Sequence, residues 1–300
     1  MKRNAVIRIV LWSIVLVVLL AIFLIMLYVP GAGRSMREDM PAETCIPTPI
    51  TKSQEMEQPQ SNRNIFSVDA AQIRDMKIEW AAGSIKIQSM DITEIRITEE
   101  GPDQTSEPMV WKVRDAKLSI QYSQNTDHVF GMGLVFGKEE SKDLIIQVPS
   151  DWQCDSLEIV TAAASLKVQD LTIREMEFDG ASGTCVFDNC TVEKLDLDTA
   201  SGDVLFKGCL QQLECDAASA NILLELSNVP RSIDLDTASG DLDVTLPADA
   251  GFTVTLDAMS SDFESDFDTT RRNGSYIAGN GRCRIEVDGM SGDVTVRKGA

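Results

Sequence analysis

The sequence predicts an all-β fold, a single-strand β-solenoid (β-helix) built from two-strand rungs of about 19 residues, and three observations predict it. One phrase is written twice: LDLDTASGDV at residues 195–204 returns as IDLDTASGDL at 233–242. Apolar residues around it alternate by two, the period of a strand with one buried face. Copies of the phrase recur from Ala164 onward at spacings of 19, 19, 18, 20, 21 and 31 residues, the mark of a stacked repeat.

The elements follow in chain order. Residues 1–8 carry Lys2, Arg3 and Arg8 and read as a short cytoplasmic tail. Residues 9–29 are apolar apart from Ser13; as a helix they would reach roughly 32 Å, enough to cross a bilayer core. The basic residues ahead of this span favour an inside amino terminus, so a single-pass transmembrane helix is expected, with everything after Val29 outside the cytoplasm. A cleaved signal peptide is the rival reading, since Gly31, Ala32 and Gly33 follow, but its apolar region would be shorter. Residues 30–64 hold five of the ten prolines among polar residues and are expected to form a tether that does not pack. Residues 65–300 are long enough for one sizeable core.

With the Gly of SGD set as position zero, the repeat runs through Gly83, Ala164, Gly183, Gly202, Ala220, Gly240, Ser261 and Gly292. Four offsets carry the expected core. Position −7 holds residues such as Met76, Leu195 and Ile285, and −5 holds Ile78, Leu197, Cys215, Leu235 and Val287. Position +2 holds Ile85, Cys185 and Val294, and +4 holds Ile87, Phe206 and Val296; Ser265 alone breaks the pattern. One such unit cannot bury its own inner face, but copies stacked at about 4.8 Å make each column continuous. A helix fails because the apolar spacing is two. The small residues of TASGD then mark a corner, where Gly permits a positive φ without any ligand.

The charge excludes some functions. Twenty-seven basic residues against 47 acidic give −20, which disfavours nucleic acid as a partner. One histidine, His128, leaves little room for imidazole zinc sites or His-dependent triads. No cofactor is expected.

The candidate site residues are few. Asp198, Asp236 and Asp288 at −4, with Asp203, Asp241 and Asp293 at +1, form acidic columns. These are expected to be solvated and bonded to turn amides, with a Ca²⁺ ladder as the alternative. Cys190 and Cys209 both stand at +7 in consecutive units, one strand spacing apart and so candidates for a disulfide. Val129, Phe130, Met132, Leu134, Val135 and Phe136, in the excursion HVFGMGLVF, are expected either to cap the open end of the solenoid or to offer an apolar patch to a partner. A second excursion, RRNGSYIAGNG, with Arg271, Arg272 and Tyr276, reads as a flexible insertion or a weaker candidate of the same kind.

IEWAAGSIKI, LIIQVPSDWQCDSLEI, LDLDTASGDV and GNGRCRIEVDGMSGDVTV together resemble the toast-rack family of bacterial β-solenoid domains, often labelled putative adhesins of unknown function. The resemblance spans most of residues 65–300 and departs from the pattern at Ala164, Ala220 and Ser261, where the corner Gly is absent. It implies an exported or membrane-tethered envelope protein, in some cases associated with envelope-stress systems, and supplies no catalytic residues. The expected function is therefore a non-catalytic envelope scaffold or adhesin-like binding module whose partner is an envelope protein or cell-wall polymer. The alternatives are an accessory of envelope-stress sensing working through a membrane partner, and a polysaccharide-active enzyme recruiting Asp203, Asp241, Arg271 and Arg272. Catalysis would need a convergent set of unlike groups, whereas these acids recur in columns.

Overall fold

The computed structural model describes residues 65–101, 108–123 and 141–299. The predicted transmembrane span, its tail, the tether, Cys45 and the HVFGMGLVF excursion lie outside these residues. Among the described residues no helix is long and apolar enough to cross a membrane; the one helical element is a 3₁₀ turn, Ala70–Gln72, whose Ala71 N–H donates to Asp69.

Everything else is strand, turn or loop, wound as stacked rungs. Four strands pass continuously through a turn of the winding: β2 (Asp75–Met90), β7 (Gln153–Gln169), β9 (Cys185–Ser201) and β10 (Val204–Ser219). The first side of the stack, before the corner, runs β5 (Lys117–Gln121), β2, β7, β8 (Thr172–Ser182), β9, β10, β12 (Ser232–Ser239). The second side, after the corner, runs β6 (Lys142–Pro149), β2, β7, β9, β10, β11 (Ile222–Leu226), β13 (Leu242–Leu246). All these neighbours are parallel, as a solenoid requires.

The expected core columns are real rows. Leu197 stands opposite Cys215, Cys215 opposite Leu235, and Leu235 opposite Val287. Every residue at the four core offsets is buried except Leu256, Phe263 and Ser265. Those three belong to one rung, β14 (Phe252–Ser260) with β15 (Phe263–Ser265), which is the outermost of the stack. Where Ser265 fails to fill its column, the buried Phe267 packs edge-on against Phe252 at 5.2 Å and its amide donates to Ser265 Oγ.

The order of rungs is not the order of the chain at either end. β18 (Cys283–Ser291) and β19 (Val294–Lys298) lie between β12/β13 and β14/β15. β2 likewise lies between the β5/β6 rung and β7. The long last spacing is therefore more than an excursion in a sequential stack, because the final rung is inserted one place inward.

Both ends are closed by antiparallel strands. β3 (Glu94–Glu100) pairs with β6 and β1 (Ile65–Asp69) with β3, while β4 (Val110–Arg114) covers β5. At the far end the second excursion is a hairpin, β16 (Thr269–Arg272) and β17 (Ser275–Ala278), laid against β14. Tyr276 stacks on Phe263 at 4.3 Å between ring centres, and Arg271 lies over Tyr276. The expectation of a flexible insertion is corrected here, because the aromatic pair and the strand pairing fix it as a cap. Short antiparallel strands of this kind blunt the open edge of a stack.

The corner chemistry explains the repeated phrase. Gly202 has φ +134°, and a Cβ there would sit 2.0 Å from the Gly183 carbonyl oxygen of the neighbouring rung. Ala164 and Ala220 are not among the residues with positive φ, so those corners tolerate a side chain. Alanine there is buried, each beside the glycine of the next rung.

Candidate functional site

The outer face of the first side is built from residues that alternate with the −7 and −5 core rows. Position −6 carries Glu158, Glu177, Asp196, Glu214, Asp234 and Glu286, each opposite the next. Position −4 carries Asp179, Asp198, Asp216, Asp236, Asp288 and Asp257, also in register. Two carboxylate ladders, six rungs long, thus run side by side. Within a ladder the repeat is about 4.8 Å, and the ladders are about 7 Å apart along each strand.

Cations gather at the −6 ladder. Lys77 Nζ meets Glu158 at 2.5 Å and Glu79 at 3.2 Å, Lys117 reaches Glu158 at 3.1 Å, Lys194 joins Asp196 and Glu214, and Arg284 joins Asp234. Burial works to raise the Glu158 carboxyl, but the hydrogen bonds and charges of Lys77 and Lys117 outweigh it and hold it below its ordinary range. The −4 ladder behaves oppositely. Partial burial, followed by the charges of Asp216, Asp179, Asp196 and Glu177, pushes Asp198 up to about 6. Asp179 is raised by burial and by Glu158 and Asp196, with a hydrogen bond to Asp198 offsetting part of the rise. Glu177, in the −6 ladder but without a lysine of its own, is also raised, by burial and then by Asp179.

The +1 column does something different. Asp241 N–H donates to Asn221 Oδ1 at 3.2 Å, Asp293 N–H to Asp241 Oδ1 at 2.9 Å, and Asp262 N–H to Asp293 Oδ1 at 3.0 Å. Asn221 Nδ2 donates to Asp203 Oδ1 at 3.0 Å. Asp203, Asp241 and Asp293 therefore clamp one rung to the next, where bonds within a turn were expected. Asp198, Asp236 and Asp288 belong to the −4 ladder on the flat face. Among the described residues no group of three or more His, Cys, Asp or Glu side chains is arranged to hold a metal ion.

The expected Cys190–Cys209 pairing is corrected. Both are free thiols; Cys190 stands opposite Gly208, and Cys209 opposite Thr191, because the register shifts between Phe206 and Gly208. Cys190 is buried in the core, whereas Cys209 is only half-buried and contacts Ser227 Oγ at 3.1 Å. The signal was in the spacing: the unit after Gly202 is 18 residues long, so Cys209 counted back from Ala220 aligns with Thr191.

Sequence reading missed the −6 ladder and, in the −4 ladder, Asp179 and Asp216. The missed signal was an acid at most of the outward positions beside the −7 and −5 rows, with Lys77, Val160 and Thr255 as the exceptions. A shallow trough of about 430 Å³ along the return edge brings Arg174, Arg231, Asp155 and Glu193 together with Gln153, Thr172, Thr191 and Cys209. These also come from successive rungs, and Arg174 is already paired with Glu175 and Asp155. Asp203 and Asp241 lie at the corner column while Arg271 and Arg272 belong to the end hairpin, so the enzyme set is not drawn from one element.

An all-β solenoid whose polar groups recur rung by rung is the class that this geometry defines. The Toastrack DUF4097 family model matches residues 73–297, and the chain belongs to that family. No curated protein matches the sequence. Solved structures of similar fold include a putative adhesin from Bacteroides fragilis, 14% identical over 80% of this chain and 99% of that one, with a TM-score of 0.43. Two others are a putative cell adhesion protein from Clostridium sporogenes (14% identity, 79% and 99% coverage, TM-score 0.35) and a putative lipid binding protein from Parabacteroides distasonis (14%, 80% and 98%, 0.38).

Proposed function

We propose that the chain is a non-catalytic binding scaffold of the cell envelope, an adhesin-like module displayed outside the cytoplasmic membrane and held there by the apolar span at residues 9–29. One observation carries this reading: the polar groups repeat along the stack in register, six deep in each carboxylate ladder. A catalytic centre needs unlike groups brought to one point, whereas a column of like groups presents the same contact at each rung and suits an extended partner. The partner is an envelope protein or a cell-wall polymer, and the acidic face restricts it to neutral or cationic surfaces. Nucleic acid does not fit.

The test is crosslinking in intact cells followed by identification of the attached partner, with retention on purified wall glycan run in parallel. An envelope protein or the glycan should be recovered with the intact chain. Recovery of neither, together with release of the chain from the membrane fraction by a salt wash, would remove the reading.

A further inference from the structure

Residues 252–298 are tied to the rest of the solenoid in an unusual way. Among the described strands, β14 pairs with β17 and β18, β15 with β19, and β16 with β17, all within this unit. The pairings that cross to the remainder are β12 with β18 and β13 with β19. One connection, residues 247–251, joins the two parts. Elsewhere β9 and β10 run through their return turns without leaving the sheet, so one rung cannot lift from the next without tearing that turn. Here the connection bypasses the interface: it leaves β13 at Leu246, passes the β18/β19 rung and enters β14 at Phe252. Ala248 and Asp249 within the connection are exposed, while Ala250 and Gly251 are buried and the Gly251 carbonyl accepts from the Arg282 and Cys283 N–H groups, so Gly251 is bonded to the unit it leads into.

The interface is specific. Ile233 and Leu235 stand opposite Ile285 and Val287 in the core rows. Arg284 pairs with Asp234 at 3.1 Å, Arg297 with Asp243 at 2.9 Å, and Asp293 N–H donates to Asp241. The Gly292 backbone fits over the Gly240 carbonyl with no room for a Cβ. None of these contacts involves residues 247–251, so the same unit from another molecule would make every one of them.

We infer that the edge formed by β12 and β13 is a binding site for β18 and β19 of a second copy of this chain, and that residues 252–298 exchange between copies to form a reciprocal dimer. Exchange replaces each bond by its equal and therefore costs little. Within one molecule the tethered unit has the advantage of its effective concentration, on the order of 1 mM for a short flexible linker. The exchanged form gains at protein densities of that order.

The register supplies the test. Ser239 and Ser291 stand opposite each other across the interface, one strand spacing apart and within disulfide range. Two full-length preparations with different tags, one S239C and the other S291C, both carrying C45S and C209S, are mixed at on the order of 1 mM and then oxidised. Exchange predicts a disulfide dimer containing one chain of each kind, in excess over the S239C homodimer. A chain carrying both substitutions, oxidised while dilute, should close internally and lose the ability to exchange. The inference is overturned if the doubly substituted chain closes internally but the mixture gives no heterotypic dimer, or if heterotypic and homotypic products are equal, the mark of random collision. A full chain that sediments as a monomer at the same concentration overturns it without reference to crosslinking.

Discussion

Lys142 and Glu99 form a buried ion pair, with Nζ 3.0 Å from Oε1 and side chains 1% and 4% exposed. The ammonium also donates to the Tyr122 carbonyl at 3.1 Å and lies 4.1 Å above the Tyr122 ring, while the carboxylate accepts from Met109 N–H through both oxygens. Lys142→Met leaves that carboxylate buried with one main-chain donor, and removing one partner of such a pair costs about 3–5 kcal/mol. Lys207→Met is the control: Lys207 meets Glu225 at a similar 2.9 Å, but the two side chains are 44% and 43% exposed, and such a pair is worth about 1 kcal/mol or less. Distance is the same, so the environment decides. Urea unfolding at pH 7 of K142M, E99Q, the double variant and K207M measures all four terms. The double variant should lose less than the sum of the singles, by about 0.5–3 kcal/mol. If K142M matches the K207M control, water reaches the pair and the argument from burial is wrong.

Gly202→Ala should cost about 1–3 kcal/mol from backbone strain at positive φ, with the close approach to Gly183 adding to it; a thermal melt unchanged from the parent would refute the corner argument. The Asp198 carboxyl, pushed up to about 6 from an ordinary 3.8, binds its proton more tightly in the folded state. Its contribution is therefore full below about pH 3.8 and lost as pH rises through about 6. Stability should rise as pH falls from 7 to 5, by on the order of 1 kcal/mol or less once solvent screening is allowed for, and a higher melting temperature reads it. Asp198→Asn should flatten that dependence, and an unchanged slope would count against it. Alkylation of the native protein without reductant, read by mass spectrometry, should label Cys209 before Cys185, Cys190, Cys215 and Cys283. Burial pushes the thiols of Cys185, Cys215 and Cys283 up to about 12, and a recovered 190–209 disulfide would contradict the register.

The rows of the core were legible because strand periodicity records which face a residue occupies. It does not record which rung lies beside it. Ile285 carries the same pattern as Val254, so nothing in the alternation says whether Ile233 is followed in space by one or the other, and the structure places Ile285 there. The same ambiguity hid the inward position of β2, whose outer neighbours come from two separate pieces, β5 and β6. The acidic columns were half legible. Counting from the corner phrase found Asp198, Asp236, Asp257 and Asp288, but Glu177, Asp179 and Asp216 lie in units whose wording differs, and only their register reveals them. For the cysteines, a count from the preceding corner failed where the unit shortened by one residue, since a return turn can absorb a residue without disturbing the core on either side.

The like-charged ladders are not an unavoidable product of stacking copies. On the same side of the same stack, near the return edge, Asp155, Arg174 and Glu193 succeed one another in adjacent strands, and Arg174 pairs with Asp155. In-register stacking thus permits alternating signs in one column while two others keep one sign over six rungs. Each adjacent like pair at about 5 Å costs roughly 1 kcal/mol even in bulk water, so the acidic face is held against a standing penalty. Its physical consequence is repulsion between copies approaching face to face, which leaves a flat sheet surface soluble. With that face closed to self-association and the ends of the described stack capped by short antiparallel strands, the β12/β13 edge, where the ion pairs cross between rungs with opposite signs, is where the proposed exchange would bond two copies.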